Sequence, residues 1–170
     1  ISLKDVGIKS EIIRADSRKV YTGFDTTSAK ITNAEMCVIP HHMLSIANPQ
    51  LDYTVSDYKK QVSKIIKDLH SRNIVPIICG GTGLYIDAVN YDKVIPEVKP
   101  NIELRNKLEK LNETELFNLL KKSDPARAKN IDAKNKRRLI RALEIIEELG
   151  TVPVLVNPKP VYPTLYLGLT

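Results

Sequence analysis

Apolar and polar positions follow two different spacings along this chain, and the changes of spacing mark its elements. At 10–15 the run Glu11-Ile12-Ile13 is short and β-branched, which predicts a strand. At 75–79 the sequence Val-Pro-Ile-Ile-Cys is almost continuously apolar and closes on Gly80-Gly81. That is the pattern of a parallel strand covered on both faces. Residues 162–169 predict a third strand, and 43–46 a weaker fourth. Elsewhere the spacing is helical. Over 56–72, Tyr58, Val62, Ile65, Ile66 and Leu69 recur every three or four residues, and Thr54 or Ser56 can cap the start. Two shorter helices are expected at 102–110 and 113–122, joined by a turn at Leu111-Asn112. A long amphipathic helix is expected at 134–149, with Leu139, Ala142, Leu143, Ile146 and Leu149 on one side and Gly150 as its stop.

This order predicts an α/β fold, a parallel sheet flanked by helices with a small helical insertion. The polar stretch 90–99, with Pro96 and then Pro100, reads as a linker. The expected division is an α/β core of 1–95 and 134–170, and a helical insertion of 96–133. At 170 residues and 42% hydrophobic content the chain can bury a core. A formal charge of +6 suits a nucleic-acid partner but does not require one. The two cysteines, Cys37 and Cys79, form no metal-type pair and suit a reduced, cytoplasmic setting. No apolar run approaches the roughly 20 residues of a membrane helix, and no membrane partner is expected. The chain begins with Ile rather than Met, which reads as an N-terminus lying further upstream.

Four segments can carry chemistry. Asp16, in Asp-Ser-Arg-Lys-Val-Tyr-Thr-Gly at 16–23, follows the first strand. A carboxylate there faces the crevice where open α/β sheets bind ligands, and can accept a proton or reach a metal through water. Asp16 and Ser17 can equally serve as turn caps. Gly80-Gly81-Thr82-Gly83 lets the backbone approach an anion at a helix start, or simply makes a tight turn. Arg137, Arg138 and Arg141 lie on the last helix, where they can clamp phosphates or form a solvated basic face. His41 and His42 are adjacent, so on an extended chain they point opposite ways and make a poor metal site. One histidine against a base or phosphate is the better use.

Taken in order, these segments resemble the tRNA dimethylallyltransferase family. Asp16-Ser17 with Tyr21 and Gly23 resembles its D-S-x-x-x-Y-x-G motif, continued by Asp25 and Ala29-Lys30. Pro40-His41-His42 is similar to its P-H-H segment, with Pro49, Tyr53, Ser56 and Asp57 following. Pro76-Ile77-Ile78, the glycine turn and Leu84-Tyr85 resemble its strand and G-G-T-x-L-Y turn. Arg105, Asp124-Pro125 and the Arg137–Glu144 run are similar to its later helices.

The resemblance implies a P-loop NTPase-like fold. It also implies transfer of a dimethylallyl group from dimethylallyl diphosphate to the exocyclic N6 amine of the adenine 3′ of a tRNA anticodon, assisted by Mg2+. It makes Asp16 the general base, with Thr82 and Arg105 as further catalytic residues. Gly80, Gly81, Thr82, Tyr21 and His41 would line the diphosphate or substrate pocket. Asp16, Ser17, Arg18 and Lys19, and Arg137, Arg138, Leu139, Ile140 and Arg141, would meet tRNA, as would the helical insertion. Monomeric action is expected.

The chain departs from the family pattern at several points. The family's phosphate-binding loop and its strand are absent, and are expected upstream of Ile1, since 1–9 resembles the tail of the following helix. Without that loop the chain alone is expected to be inactive, and Mg2+ to lack a protein ligand apart from Asp16 through water. The family's C-terminal helices are expected beyond Thr170, and 151–161 is shorter than in the family. Thr27 stands where the family has glycine, and Ser45 where it commonly has Asp. Two other readings stay open: a non-catalytic RNA-binding fragment, and a small-nucleotide enzyme of the adenylate isopentenyltransferase or P-loop kinase type.

Overall fold

The computed structural model describes residues 7–153 and 159–168. The chain forms two compact units, one of Ile1–Ile95 with Asn157–Thr170 and one of Pro96–Val156.

The first unit is α/β. Strand β1 (Ser10–Arg14) lies between β2 (His41–His42) and β3 (Val75–Cys79), all parallel, with Ile12 opposite both His41 and Ile77. Helix α1 (Val55–Ser71) starts on a capping box in which Thr54 Oγ1 accepts from the Asp57 N–H and Asp57 accepts from the Thr54 N–H. Its buried stripe of Tyr58, Val62, Ile66 and Leu69 is the helical spacing seen in the sequence. Helix α2 (Gly83–Asn90) packs beside α1, where the Tyr58 and Tyr85 rings stack with centroids 4.1 Å apart. Ile13, Ala15, Val20 and Met43 complete this core. The Tyr58 hydroxyl donates to the Arg14 carbonyl at 3.0 Å, tying α1 to the end of β1.

A charged group is buried in this unit among its partners. Glu11, on β1, meets His42 at 2.6 Å and Arg72 at 3.1 Å. Burial pushes its carboxyl up, but these two partners outweigh burial and hold it below the usual range.

Three strand expectations are corrected. β3 is only half-buried, with Val75 46% exposed, because it is an edge strand of a three-stranded sheet. Residues 43–46 do not form a strand: Met43 and Ser45 adopt left-handed φ of 65° and 50°, which breaks the extended run. The pairing falls instead on His41–His42 and on a Tyr21–Ala47 bridge. Residues 162–168 join no sheet. Their stretch is held by side chains: buried Asn90 bonds Thr164 and Tyr166, and its carbonyl accepts from the Val161 N–H at 2.8 Å. Leu169, the end of that expected strand, and residues 1–6 of the expected helix tail lie outside the described residues, as do 154–158 of the shortened 151–161 stretch.

The second unit is helical: α3 (Ile102–Leu108), α4 (Glu113–Ser123), α5 (Pro125–Ala128) and α6 (Lys136–Leu149). Leu108, Leu116, Leu120, Ala128, Leu139 and Ile140 form its core. The expected division placed 134–149 with the sheet. The structure places α6 with α3 and α4, because its apolar side packs on theirs. Asp124 caps α5 through the Arg127 N–H at 2.8 Å and also accepts from the Val152 N–H at 3.0 Å. Gly150, at φ 79°, ends α6.

The hub of this unit is Glu144, whose side chain is fully buried. It accepts from Arg105 Nε at 2.7 Å and Nη2 at 2.9 Å, from the Asn101 N–H at 2.9 Å, and from Arg141 at 3.4 Å. Burial raises its pKa, but hydrogen bonds from Arg105 and the Asn101 N–H prevail and hold it below the ordinary value. A lowered folded-state pKa stabilises the fold fully above the unfolded value near ~4.3, and that contribution fades as pH falls through the folded value. Glu144→Gln in the full-length protein is therefore expected to cost about 3 kcal/mol at pH 7. It should also reduce the loss of stability on acidification. Urea unfolding at pH 7 and pH 3.5 checks both, and an equal acid-induced loss in wild type and variant would contradict the assignment.

Candidate active site

The site begins where β1 ends. The Ala15 N–H donates to the Cys79 carbonyl at 2.9 Å, and the Ala15 carbonyl accepts from the Thr82 N–H at 3.0 Å. The two strand ends are thereby fastened to each other across the turn. Gly80 sits directly against this junction: a Cβ there would lie 2.2 Å from the Ala15 carbonyl oxygen. Gly81 and Gly83 differ, since a Cβ on either would meet nothing within 4 Å. Glycine at 80 is thus demanded by packing, while 81 and 83 border open space that a ligand can approach.

Thr82 precedes α2 but does not cap it with its side chain. Its Oγ1 turns across to accept from the Ser17 N–H at 3.0 Å and lies 3.4 Å from Ser17 Oγ. Asp16 stands between these fastened points, half-buried. Its Oδ1 accepts from the Arg18 N–H at 2.9 Å and the Lys19 N–H at 3.3 Å. The cap reading and the site reading of Asp16 are therefore the same geometry: the cap fixes the carboxylate beside the glycine turn.

The loop beyond is stapled by Lys30. Its Nζ donates to the Tyr21 carbonyl at 2.5 Å, to Asp25 at 2.8 Å and to Ser45 Oγ at 2.8 Å. Ser45 thus supplies a polar contact of this staple. Thr27 causes no difficulty, because the left-handed residue of that turn is Ala29, at φ 46°.

The expected site residues divide. Asp16, Ser17, Gly80, Gly81 and Thr82 come together, and Tyr21 packs against the same core as Tyr85. His41 Nδ1 lies 2.9 Å from the Ile39 carbonyl and His42 is committed to Glu11, so the pair serves the sheet edge. Arg18 is exposed and Lys19 half-buried. Arg105 belongs to the helical unit, paired with Glu144. Of the basic run, Arg137 and Arg138 are exposed, while Leu139 and Ile140 are core residues at 0% and 4% exposure. The side chains of these two therefore serve packing of the helical unit. Arg141 is engaged on both sides, by Glu144 and by the Val98 carbonyl at 2.8 Å. Sequence reasoning missed Lys30, Glu11 and Glu144 as organising residues; charged residues inside apolar runs, as at 11 and 144, were the available signal.

Among the described residues no group of three or more His, Cys, Asp or Glu could hold a metal ion. Asp16, with the hydroxyls of Ser17 and Thr82, does not make a metal site unaided. No helix among the described residues is long and apolar enough to cross a membrane.

A parallel sheet whose strand end presents a fixed carboxylate beside a glycine-rich helix start defines an α/β protein with its candidate site at the strand ends, where open α/β sheets bind ligands. The IPP transferase (IPPT) family description matches residues 19–170, and the chain belongs to that family. A tRNA dimethylallyltransferase of Caldanaerobacter subterraneus subsp. tengcongensis is 43% identical over 170 residues, covering 94% of this chain and 54% of that protein. One from Acaryochloris marina is 38% identical, covering 93% and 53%. The full-length tRNA isopentenylpyrophosphate transferase structure from Bacillus halodurans is similar with a TM-score of 0.53 at 36% identity, over 88% of this chain and 50% of that one. A eukaryotic dimethylallyltransferase structure, described as acting on tRNA, gives a TM-score of 0.67 at 26% identity, over 85% and 36%. The chain spans about half the length of the curated relatives it matches.

Thr82→Val in the full-length protein removes the acceptor of the Ser17 N–H. Exchange of the Ser17 amide, followed by NMR, should quicken about tenfold, and Thr82→Ser should restore it. An unchanged rate in Thr82→Val would show that this bond does not hold the site.

Proposed function

We propose that this chain is the base-bearing portion of an enzyme that moves a dimethylallyl group from dimethylallyl diphosphate to the N6 amine of the adenine 3′ of a tRNA anticodon. One observation carries the proposal: Asp16 is fixed at the end of β1, beside the Gly80–Gly83 turn, by the Ser17–Thr82 bond. The names of the relatives support the substrate class.

The chemistry needs such a pair. An exocyclic aromatic amine is a weak nucleophile. As its nitrogen attacks C1 of the dimethylallyl group, the C1–O bond breaks and its electron pair leaves with diphosphate. The amine proton passes to the Asp16 carboxylate. Charge building on the leaving diphosphate calls for donors, which the Gly81 N–H and the Thr82 hydroxyl can supply from the open side of the turn. The Thr82–Ser17 oxygen contact of 3.4 Å is long enough to exchange for a phosphate oxygen. The adenine must leave its stack to reach Asp16. Mg2+ would neutralise diphosphate charge in this family; this chain's described residues make no cage for it. Arg105 acts in this reading through Glu144, as a positioning residue of the helical unit. The proposed setting is the cytoplasm, with the enzyme acting as a monomer.

The test is Asp16→Asn in the full-length protein, with labelled dimethylallyl diphosphate and either tRNA or AMP as acceptor. Transfer to tRNA should fall by a factor on the order of 10² to 10⁴, with tRNA affinity within about twofold. A parallel loss of affinity would make Asp16 a binding residue. Transfer to AMP but not tRNA by the wild type would point to the small-nucleotide enzyme, and transfer to neither would leave an RNA-binding protein.

A further inference from the structure

The helical unit contains a cavity of about 280 Å³ lined by Arg127, Arg137, Arg138 and Arg141, with Asn130 beside them. Ile131, Ala142, Ile145 and Val152 supply the rest of its wall. No carboxylate lines it. Three of these four arginines, Arg127, Arg137 and Arg138, form no ion pair among the described residues, and like charges gathered about one small space repel unless an anion joins them. Arg137 and Arg138 are exposed. Arg141 is held in place by Glu144 and the Val98 carbonyl, so its position is set in advance. Arg127 has a buried Nε with no hydrogen-bond partner among the described residues. A buried donor left unpaired costs about 1–3 kcal/mol, and a ligand oxygen would remove that cost.

The wall has two chemistries, and both matter. A bare phosphate site would need only the arginines. The apolar portion adds room for a flat, weakly polar ring, and arginine planes stack on such rings. The volume is at the low end for a small-ligand cleft, which admits one nucleotide and excludes a duplex. Asn130 brings an amide that can read a base edge.

We propose that this cavity receives a single unstacked nucleotide of the RNA substrate, its phosphate on the arginines and its base against Ile131, Ala142, Ile145 and Val152. It is a second nucleotide, distinct from the reacting adenine, because Asp16 is not among the residues that line the cavity. The inference rests on tRNA being the acceptor, as proposed above, and adds Arg127 and Asn130 to the residues that read it.

The experiment uses the full-length protein, tRNA, and a set of anticodon stem-loops each carrying one abasic nucleotide. Arg127→Ala and Arg138→Ala are compared with wild type. The Arg138 guanidinium is solvent-exposed, so its removal leaves folding intact and keeps the test valid if Arg127→Ala is unstable. With wild type, one abasic position should weaken binding about tenfold. With Arg127→Ala, binding should already be about tenfold weaker, and that same position should cause no further loss. Arg138→Ala should lower the slope of log affinity against log salt by about 0.7. If wild type binds and modifies tRNA but neither variant changes affinity or salt slope, and every abasic effect is unchanged in both, the pocket assignment is overturned alone. If wild type does not bind tRNA, the proposed function fails and the pocket assignment fails with it.

Discussion

Everything at the candidate site depends on how closely Gly80 approaches the Ala15 carbonyl. β1 and β3 run parallel with Arg14 opposite Cys79, so both strands finish together and the residues beyond them share one edge. Ala15 then bonds the opposite strand through its N–H and the turn through its carbonyl. Only a residue without a Cβ fits there. The consequence runs outward: Thr82 is brought within 3.0 Å of the Ser17 N–H, and Asp16 is held in the corner between them. A carboxylate placed by backbone contacts needs no reorganisation to act, which is the condition for an effective base.

Each unit also buries a glutamate among hydrogen-bonding partners. Glu11 joins β1 to β2 through His42 and to the end of α1 through Arg72. Glu144 joins α6 to α3 through Arg105 and holds Arg141. Neither pairing adds much net stability over a well-packed apolar contact. What each supplies is a unique arrangement, since a shifted strand or helix would strand a buried charge. In the helical unit this arrangement also decides which arginines are committed inward and which face solvent, and so where an anion can be received.

Much of this was legible in the sequence, for identifiable reasons. α1 and α4 are long enough to be placed within a residue or two, the first by its capping residue Thr54 and the second by the turn at Leu111-Asn112 before it. The glycine turn and Asp16 were legible because a strand end followed by paired glycines has few uses. The two wrong strand assignments have different causes: at 43–46 the left-handed Met43 and Ser45 break the extended run, and at 162–168 β-propensity reports a chain fit for pairing, but pairing needs a partner. Residues 162–168 have the composition and lack the neighbour, so Asn90 holds them instead. The placement of α6 was misjudged because its apolar side says that it packs, not against what. The roles of Lys30, Glu144 and Arg127 were hidden because each is defined by partners that come together only in the fold.

Substituting Gly80 by alanine in the full-length protein, and measuring dimethylallyl transfer to tRNA together with the structure of the variant, bears most directly on this dependence. The added methyl must push β1 and the turn apart, and a displacement near 1 Å is expected to reduce turnover about a hundredfold while the helical unit keeps its fold. Turnover equal to wild type, with Ala15 and Thr82 displaced in the variant structure, would show that Asp16 does not owe its position or its chemistry to this contact.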